Sequence, residues 1–179
     1  MENERRTWVR RALVALNLVI PSVTGIVGIV AWHGLPSRVP VHFDLAGRPD
    51  RWAGRGWEVA VLFFMLPWAT AALFFAAAAL TRWSFRHPRW INIPNKEAFL
   101  ALPPERQADY RDLVVEFLFA VGVAIETILL TAVLAVIQVA SGPGGRLPWW
   151  GVWPGMGATL LLAAIYTVRL IRGAAGFRP

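Results

Sequence analysis

What most constrains this chain is a set of four apolar stretches, each long enough to cross a bilayer as a helix. A hydrocarbon core of ~30 Å takes ~20 helical residues. Residues 12–32, 59–80 and 149–168 hold no charge, and 117–140 holds one, Glu126. Only 16% of the 179 residues are charged, too few to cover the outside of a soluble fold built on such stretches. The expected fold class is therefore all-α: a polytopic membrane protein with four transmembrane helices at about 12–32, 57–80, 113–140 and 149–170. A single membrane domain covers 1–179, with an outer loop at 33–56 and an inner loop at 81–112, and no repeat or second domain interrupts it.

The 18 Lys and Arg exceed the 11 Asp and Glu, giving a net charge of +7. No nucleic-acid recognition module accompanies that excess, and arginines flanking apolar spans serve instead to hold lipid headgroups and fix orientation. Thirteen of the 18 lie in the N-terminus, in the segment after the second stretch and in the C-terminal tail. Basic segments resist translocation, so both termini are expected in the cytoplasm of a bacterium, with the protein multi-pass in its inner membrane. Arg5, Arg6, Arg10 and Arg11 imitate the start of a secretory signal, but the stretch behind them is too long for one and lacks a small-residue cleavage site. Trp8, Trp32, Trp57, Trp83, Trp149, Trp150 and Trp153 fall at the ends of the spans, where an indole sits half in headgroups and half in hydrocarbon. The absence of Cys removes disulfides, thiol catalysis and thiolate metal sites.

In the outer loop, Val39, Val41 and Phe43 alternate with Pro40, His42 and Asp44, which predicts a short extended segment with one apolar side. Ala46-Gly47-Arg48-Pro49-Asp50 then supplies a turn, Gly47 being free to take positive φ. The expected product is a small cap on the helix ends. His-x-Asp on a strand puts His42 and Asp44 on one face, and with Asp50 they offer three roles: holding the loop fold, recognising a ligand or peptide, or binding metal for acid–base chemistry. A metal set would lack a fourth ligand, so the first role is expected, with no metal, no cofactor and no catalytic residue. Arg38, Arg48, Arg51 and Arg55, interleaved with Trp52 and Trp57, suit acidic headgroups or a peptide as well as they suit a solvated rim. Arg51 and Arg55 share a face only if that stretch is helical. In the inner loop, Asn95 is placed to cap a short helix from Lys96, and Pro104 to start another that runs through 105–111 into the third span.

Two motifs carry a resemblance. The segment from Leu35 to Trp52, of the form LP-x-x-VPVHF-x-x-x-G-x-PD-x-W, resembles the uncharacterised domain at the N-terminus of bacterial SdpI-type membrane proteins. Ile91-Asn92-Ile93-Pro94-Asn95-Lys96-Glu97 is similar to a motif of small four-helix stand-alone members of that group. With the helix order, the likeness extends over most of the chain. It implies fold and membrane location, and by analogy with SdpI-like proteins it implies immunity against a secreted peptide toxin and signalling through a partner protein. His42, Gly47, Pro49, Asp50 and Trp52 are the outer residues it singles out, with Asp44 added from the loop's own pattern as a ligand-binding or cap-structural candidate, and Asn92, Pro94, Asn95 and Lys96 the inner ones.

Glu126 stands alone in the middle of the third span, where a charge costs about 2.5 to 3.5 kcal/mol. It must be neutralised or face protein and water. Gly122, one turn earlier, leaves room beside it. In the first span Asn17, Pro21, Thr24 and Gly28 form a polar, small-residue stripe expected to face the bundle interior, and Thr70, Thr159 and Tyr166 add polar groups from the second and fourth spans. Pro21 and Pro67 each free a carbonyl one turn earlier. Glu116 is expected to snorkel or to pair with Arg111 or Arg169.

Three functions follow as expectations. The first is a non-enzymatic sensing, immunity or signalling protein whose partners are the lipid bilayer, a peptide ligand or protein, and a second copy of itself. The second is a small transporter or transport subunit using Glu126, and the third an enzyme acting on lipid. No hydrolase, metalloprotease or phosphate-loop spacing supports the third.

Overall fold

The computed structural model describes residues 2–44, 46–93, 95–142, 145–149 and 152–175. Its long helices are α1 (Glu2–Trp32), α2 (Trp57–Phe85), α4 (Pro104–Ser141) and α5 (Trp153–Ala175), all four long and apolar enough to span a membrane. Between them lie strands β1 (Arg38–Phe43) and β2 (Pro49–Gly54), a 3-10 turn at Pro88–Trp90 and the short helix α3 (Lys96–Leu100).

Helix ends follow the local chemistry rather than the edge of the apolar stretch. No Gly or Pro lies between Glu2 and Ile20, so α1 begins ten residues before its apolar run. Pro104 sits in the first turn of α4, where its missing N–H costs nothing, and it holds Pro103 extended at φ −53, ψ 144. The fourth helix starts at Trp153, not at the expected 149, because Pro154 is tolerated only in a first turn. In α2, Pro67 lacks an N–H and its ring crowds the carbonyl of Phe63. The preceding turn, Val61–Met65, widens into a π-turn closed by the Leu66 N–H on the Val61 carbonyl.

The core is three helices, α1, α2 and α4, with α5 packed on α4. Helices α1 and α4 run parallel: Arg10 meets Asp112, and seven residues on Asn17 meets Phe119. Of α5 only Tyr166 is buried.

The all-helical expectation holds for everything but the loop 33–56. The extended segment expected at Val39–Phe43 pairs antiparallel with β2 in the register Arg38↔Gly54, Val39↔Ala53, Pro40↔Trp52, His42↔Arg51 and Phe43↔Pro49, with irregularities either side of His42. An isolated two-stranded hairpin is marginal in water. This one is stabilised by burying Val39 completely among Leu35, Val59, Phe63, Val133 and Val136, with Val41 and Phe43 packed at the edge of the same cluster. At the opposite end of the bundle, Ile91 and Phe99 bury against Phe85, Leu102, Tyr110 and Ala174, so the segment after α2 folds back onto α4 and α5.

Candidate functional site

Two places concentrate polar groups: the outer face of the hairpin and the middle of the bundle. The hairpin turn is built by Asp44. Its backbone N–H donates to the Arg48 carbonyl at 2.9 Å, its Oδ1 accepts from the Arg48 N–H at 2.7 Å, and its carbonyl accepts from the Gly47 N–H at 2.9 Å. Gly47 adopts φ +72, and its carbonyl accepts from the Leu147 N–H at 2.7 Å, which ties the turn to the loop before α5. A side chain at Gly47 would be strained by that φ and would press on Leu147.

His42 does not share a site with Asp44. Its Nδ1 lies 2.6 Å from Oδ1 of Asp50 on the neighbouring strand, and the pair is open to solvent. The expected triad therefore separates into a cross-strand pair and a turn. Among the described residues no three His, Asp or Glu converge as metal ligands. Pro49 opens β2, and Trp52, opposite Pro40, stays exposed beside Arg51. Arg51 reaches Glu58 at 3.7 Å, both largely in solvent, where an ion pair contributes under about 1 kcal/mol.

Arg55 has a role the sequence did not indicate. It follows a strand, so it does not share a helical face with Arg51, and its Nη1 donates to the carbonyls of Trp32, His33 and Leu35 at 3.1, 3.2 and 3.0 Å. The last turn of α1 has no basic residue of its own. Arg55 supplies the cation to the negative end of that helix from more than twenty residues away.

In the bundle, the apolar cluster under the hairpin is separated from a second one, formed by Ala78, Val115 and Phe119. The buried side chains at the levels between are small or polar: Asn17, Pro21, Thr24, Pro67, Ala71, Gly122 and Glu126. Glu126 is 1% exposed, and Asn17 and Thr24 are fully buried. Asn17 donates through Nδ2 to the carbonyls of Leu13 at 2.8 Å and Phe119 at 2.9 Å, clasping α1 to α4. Its Oδ1 and both carboxyl oxygens of Glu126 have no hydrogen-bond partner among the described residues. Each such orphan costs about 1–3 kcal/mol. Thr24 gives its proton to the Ile20 carbonyl at 2.9 Å.

Other expected members of this site lie elsewhere. Thr70 is only half-buried, and Thr159 bonds the carbonyl of Gly155 in its own helix. Tyr166 is a correction: its hydroxyl donates to Glu116 Oε1 at 2.7 Å, toward the end of the bundle away from the hairpin. Glu116 also faces Arg169 at 3.9 Å, while Arg111 turns to Asp112 at 2.8 Å. In the inner motif Asn92 is exposed, Pro94 lies outside the described residues, and Lys96 Nζ donates to the Arg89 carbonyl at 3.3 Å. Asn95 precedes the helix at Lys96 as expected, but it does so in the left-handed conformation (φ +52), without a side-chain cap.

A family model for a domain of unknown function, DUF1648, matches residues 22–67. Those residues run from the middle of α1 through the hairpin and the π-turn to Pro67 of α2, so the matched unit contains the whole hairpin and Arg55, but not Leu147, to which the turn is tied. An uncharacterized protein of Archaeoglobus fulgidus is 30% identical over 84 residues, 47% of this chain and 45% of that relative. The chain thus spans about half the length of this relative. No solved structure is significantly similar to it.

Proposed function

We propose that the chain is a non-enzymatic signalling protein of the bacterial cytoplasmic membrane, in which the hairpin cap faces outward, recognises an envelope-active peptide, and passes that event through the bundle in the manner of SdpI-like immunity proteins. The observation that carries this reading is the seating of the cap. Val39 is fully buried beside Val133 and Val136 of α4, and Arg55 holds the last carbonyl of α1, Trp32, together with those of His33 and Leu35 just after it. A displacement of the cap is therefore a displacement of α1 and α4 together, and their far ends are joined by Arg10 and Asp112 at 2.6 Å. The open face offers an imidazole–carboxylate pair, guanidinium groups and an exposed indole, a combination suited to a peptide with acidic and aromatic side chains. The orientation is supported by the distribution of Lys and Arg, and the peptide class by the likeness of residues 35–52 to the SdpI-type domain.

The test is deletion of the gene in the strain that encodes it, followed by challenge with envelope-active peptides and bacteriocins. Raised sensitivity, rescued by the wild type and not by a variant carrying His42→Ala and Trp52→Ala, is the expected result. An unchanged sensitivity profile removes the immunity reading. A second reading, a small transporter or transport subunit, is favoured by the orphaned oxygens around Glu126. Flux indifferent to Glu126→Gln removes that one.

A further inference from the structure

We infer that the middle of the bundle is a binding site for one small monovalent cation of the sodium class, held by Glu126 and Asn17 between α1 and α4. The inference is independent of the signalling reading, and it would give the transport reading its ion.

Asn17 fixes the geometry. Both of its N–H groups are used, on the carbonyls of Leu13 and Phe119, so the amide cannot flip without losing two bonds. Its Oδ1 is thereby held against Gly122, at a point where a Cβ on that glycine would overlap it. Glu126 lies one turn further along α4, on the same face as Gly122. The carboxyl thus projects from, and the Asn17 amide oxygen lies against, one stripe of α4, both shut off from solvent and both partnerless among the described residues. Two further oxygens face no obligatory donor at the same levels of α1: the Asn17 carbonyl, whose helical partner is abolished by Pro21, and Thr24 Oγ1, whose proton is committed to Ile20.

The set consists of acceptors only, and it is built of hard oxygen ligands, which select alkali and alkaline-earth cations over transition metals. No Lys, Arg or His occurs in 12–32, 59–80, 117–140 or 149–168, so the protein supplies no counter-charge at this depth. One carboxylate balances one positive charge. A divalent ion would leave the apolar bundle charged, and a proton on Glu126 donated to Asn17 Oδ1 would still leave the other carboxyl oxygen without a partner. α1 stays continuous through Pro21, but the proline leaves the Asn17 carbonyl without its helical donor beside a buried carboxylate, and a freed backbone carbonyl is a ligand of the kind by which membrane transporters coordinate such ions.

The experiment uses the full chain in detergent micelles, with thermal unfolding followed by tryptophan fluorescence in NaCl, KCl or N-methyl-D-glucamine chloride at equal ionic strength. A midpoint that rises saturably with sodium is expected. That rise should vanish in Glu126→Gln and need at least about tenfold more sodium in Thr24→Val, while Asp112→Asn should behave as the wild type. Identical curves in the three salts, or a full sodium shift in Glu126→Gln, would overturn the site. So would stabilisation by acid with no preference among the salts, which reassigns it to a proton. Should Glu126→Gln not fold, equilibrium binding of radioactive sodium to the wild type decides: one ion per chain, displaced by lithium and not by choline, is expected, and no binding overturns it. Stoichiometric binding without flux in vesicles would remove the transport reading and leave the site standing.

Discussion

Gly122 is the residue on which the interior depends most sharply. A methyl group there overlaps the Asn17 oxygen, which two hydrogen bonds hold in place, and presses on the half-buried Phe74 ring. Gly122→Ala should lower stability by about 1–3 kcal/mol, read as a fall in the unfolding midpoint in micelles. Overpacking wins here over the gain in helix propensity, which for Gly to Ala is about 1 kcal/mol at most. Arg55 illustrates the opposite balance. It serves three carbonyls, but water can replace it at the two nearest solvent, so Arg55→Gln should cost only about 1 kcal/mol. Faster cleavage of 33–56 by added protease would register that loss, and an unchanged rate would refute the clamp.

Among the elements, the hairpin shows how physical scale separates strong contacts from decorative ones. Val39 is fully buried, and Val39→Ala should cost about 1–3 kcal/mol. The Arg10–Asp112 pair that joins α1 to α4 has side chains a third exposed, so Asp112→Asn should change stability by less than about 1 kcal/mol. A melt that ranked these two the other way round would mean that the far-end ion pair, and not apolar burial under the cap, dominates the packing of α1 and α4. The same elements mark how far the sequence was legible. Spans could be read because twenty apolar residues have few alternatives, and β1 because Val39, Val41 and Phe43 alternate. β2 could not, since Pro49–Gly54 has no apolar alternation and lies mostly in solvent, taking its shape from its partner. Glu126 was conspicuous as the lone charge in a span, and Asn17 and Thr24 followed from the stripe on α1. Tyr166 is not among them: helical angle says which residues share a face but not which neighbour that face meets. α5 touches α4 at a different level, where Glu116 and Arg169 wait. Arg55 left no local signal, because its partners are brought to it only by the folded hairpin.

For the whole molecule, the lack of Cys is an experimental advantage. Single cysteines at Ser37 and Arg106 should report the proposed orientation: a membrane-impermeant maleimide added to intact spheroplasts should label Ser37→Cys, and Arg106→Cys only after permeabilisation. The reverse pattern would turn the molecule over and remove the outward-facing cap. A last consequence lies in the length of α4, the one helix that meets α1, α2, α5 and β1. Its 38 residues make a continuous rod of about 57 Å, against a hydrocarbon core of about 30 Å. Its apolar part, 117–140, is about 36 Å long and would answer a thinner bilayer by tilting, and each 10° of tilt swings the overhang of 104–116, about 20 Å, by roughly 3 Å. Polarised infrared spectroscopy of the protein in oriented bilayers of short and long acyl chains would read that tilt as a change in amide dichroism, and an unchanged dichroism would rule it out. The spine of this protein would then be a lever, with the thickness of the membrane around it setting where the far end comes to rest.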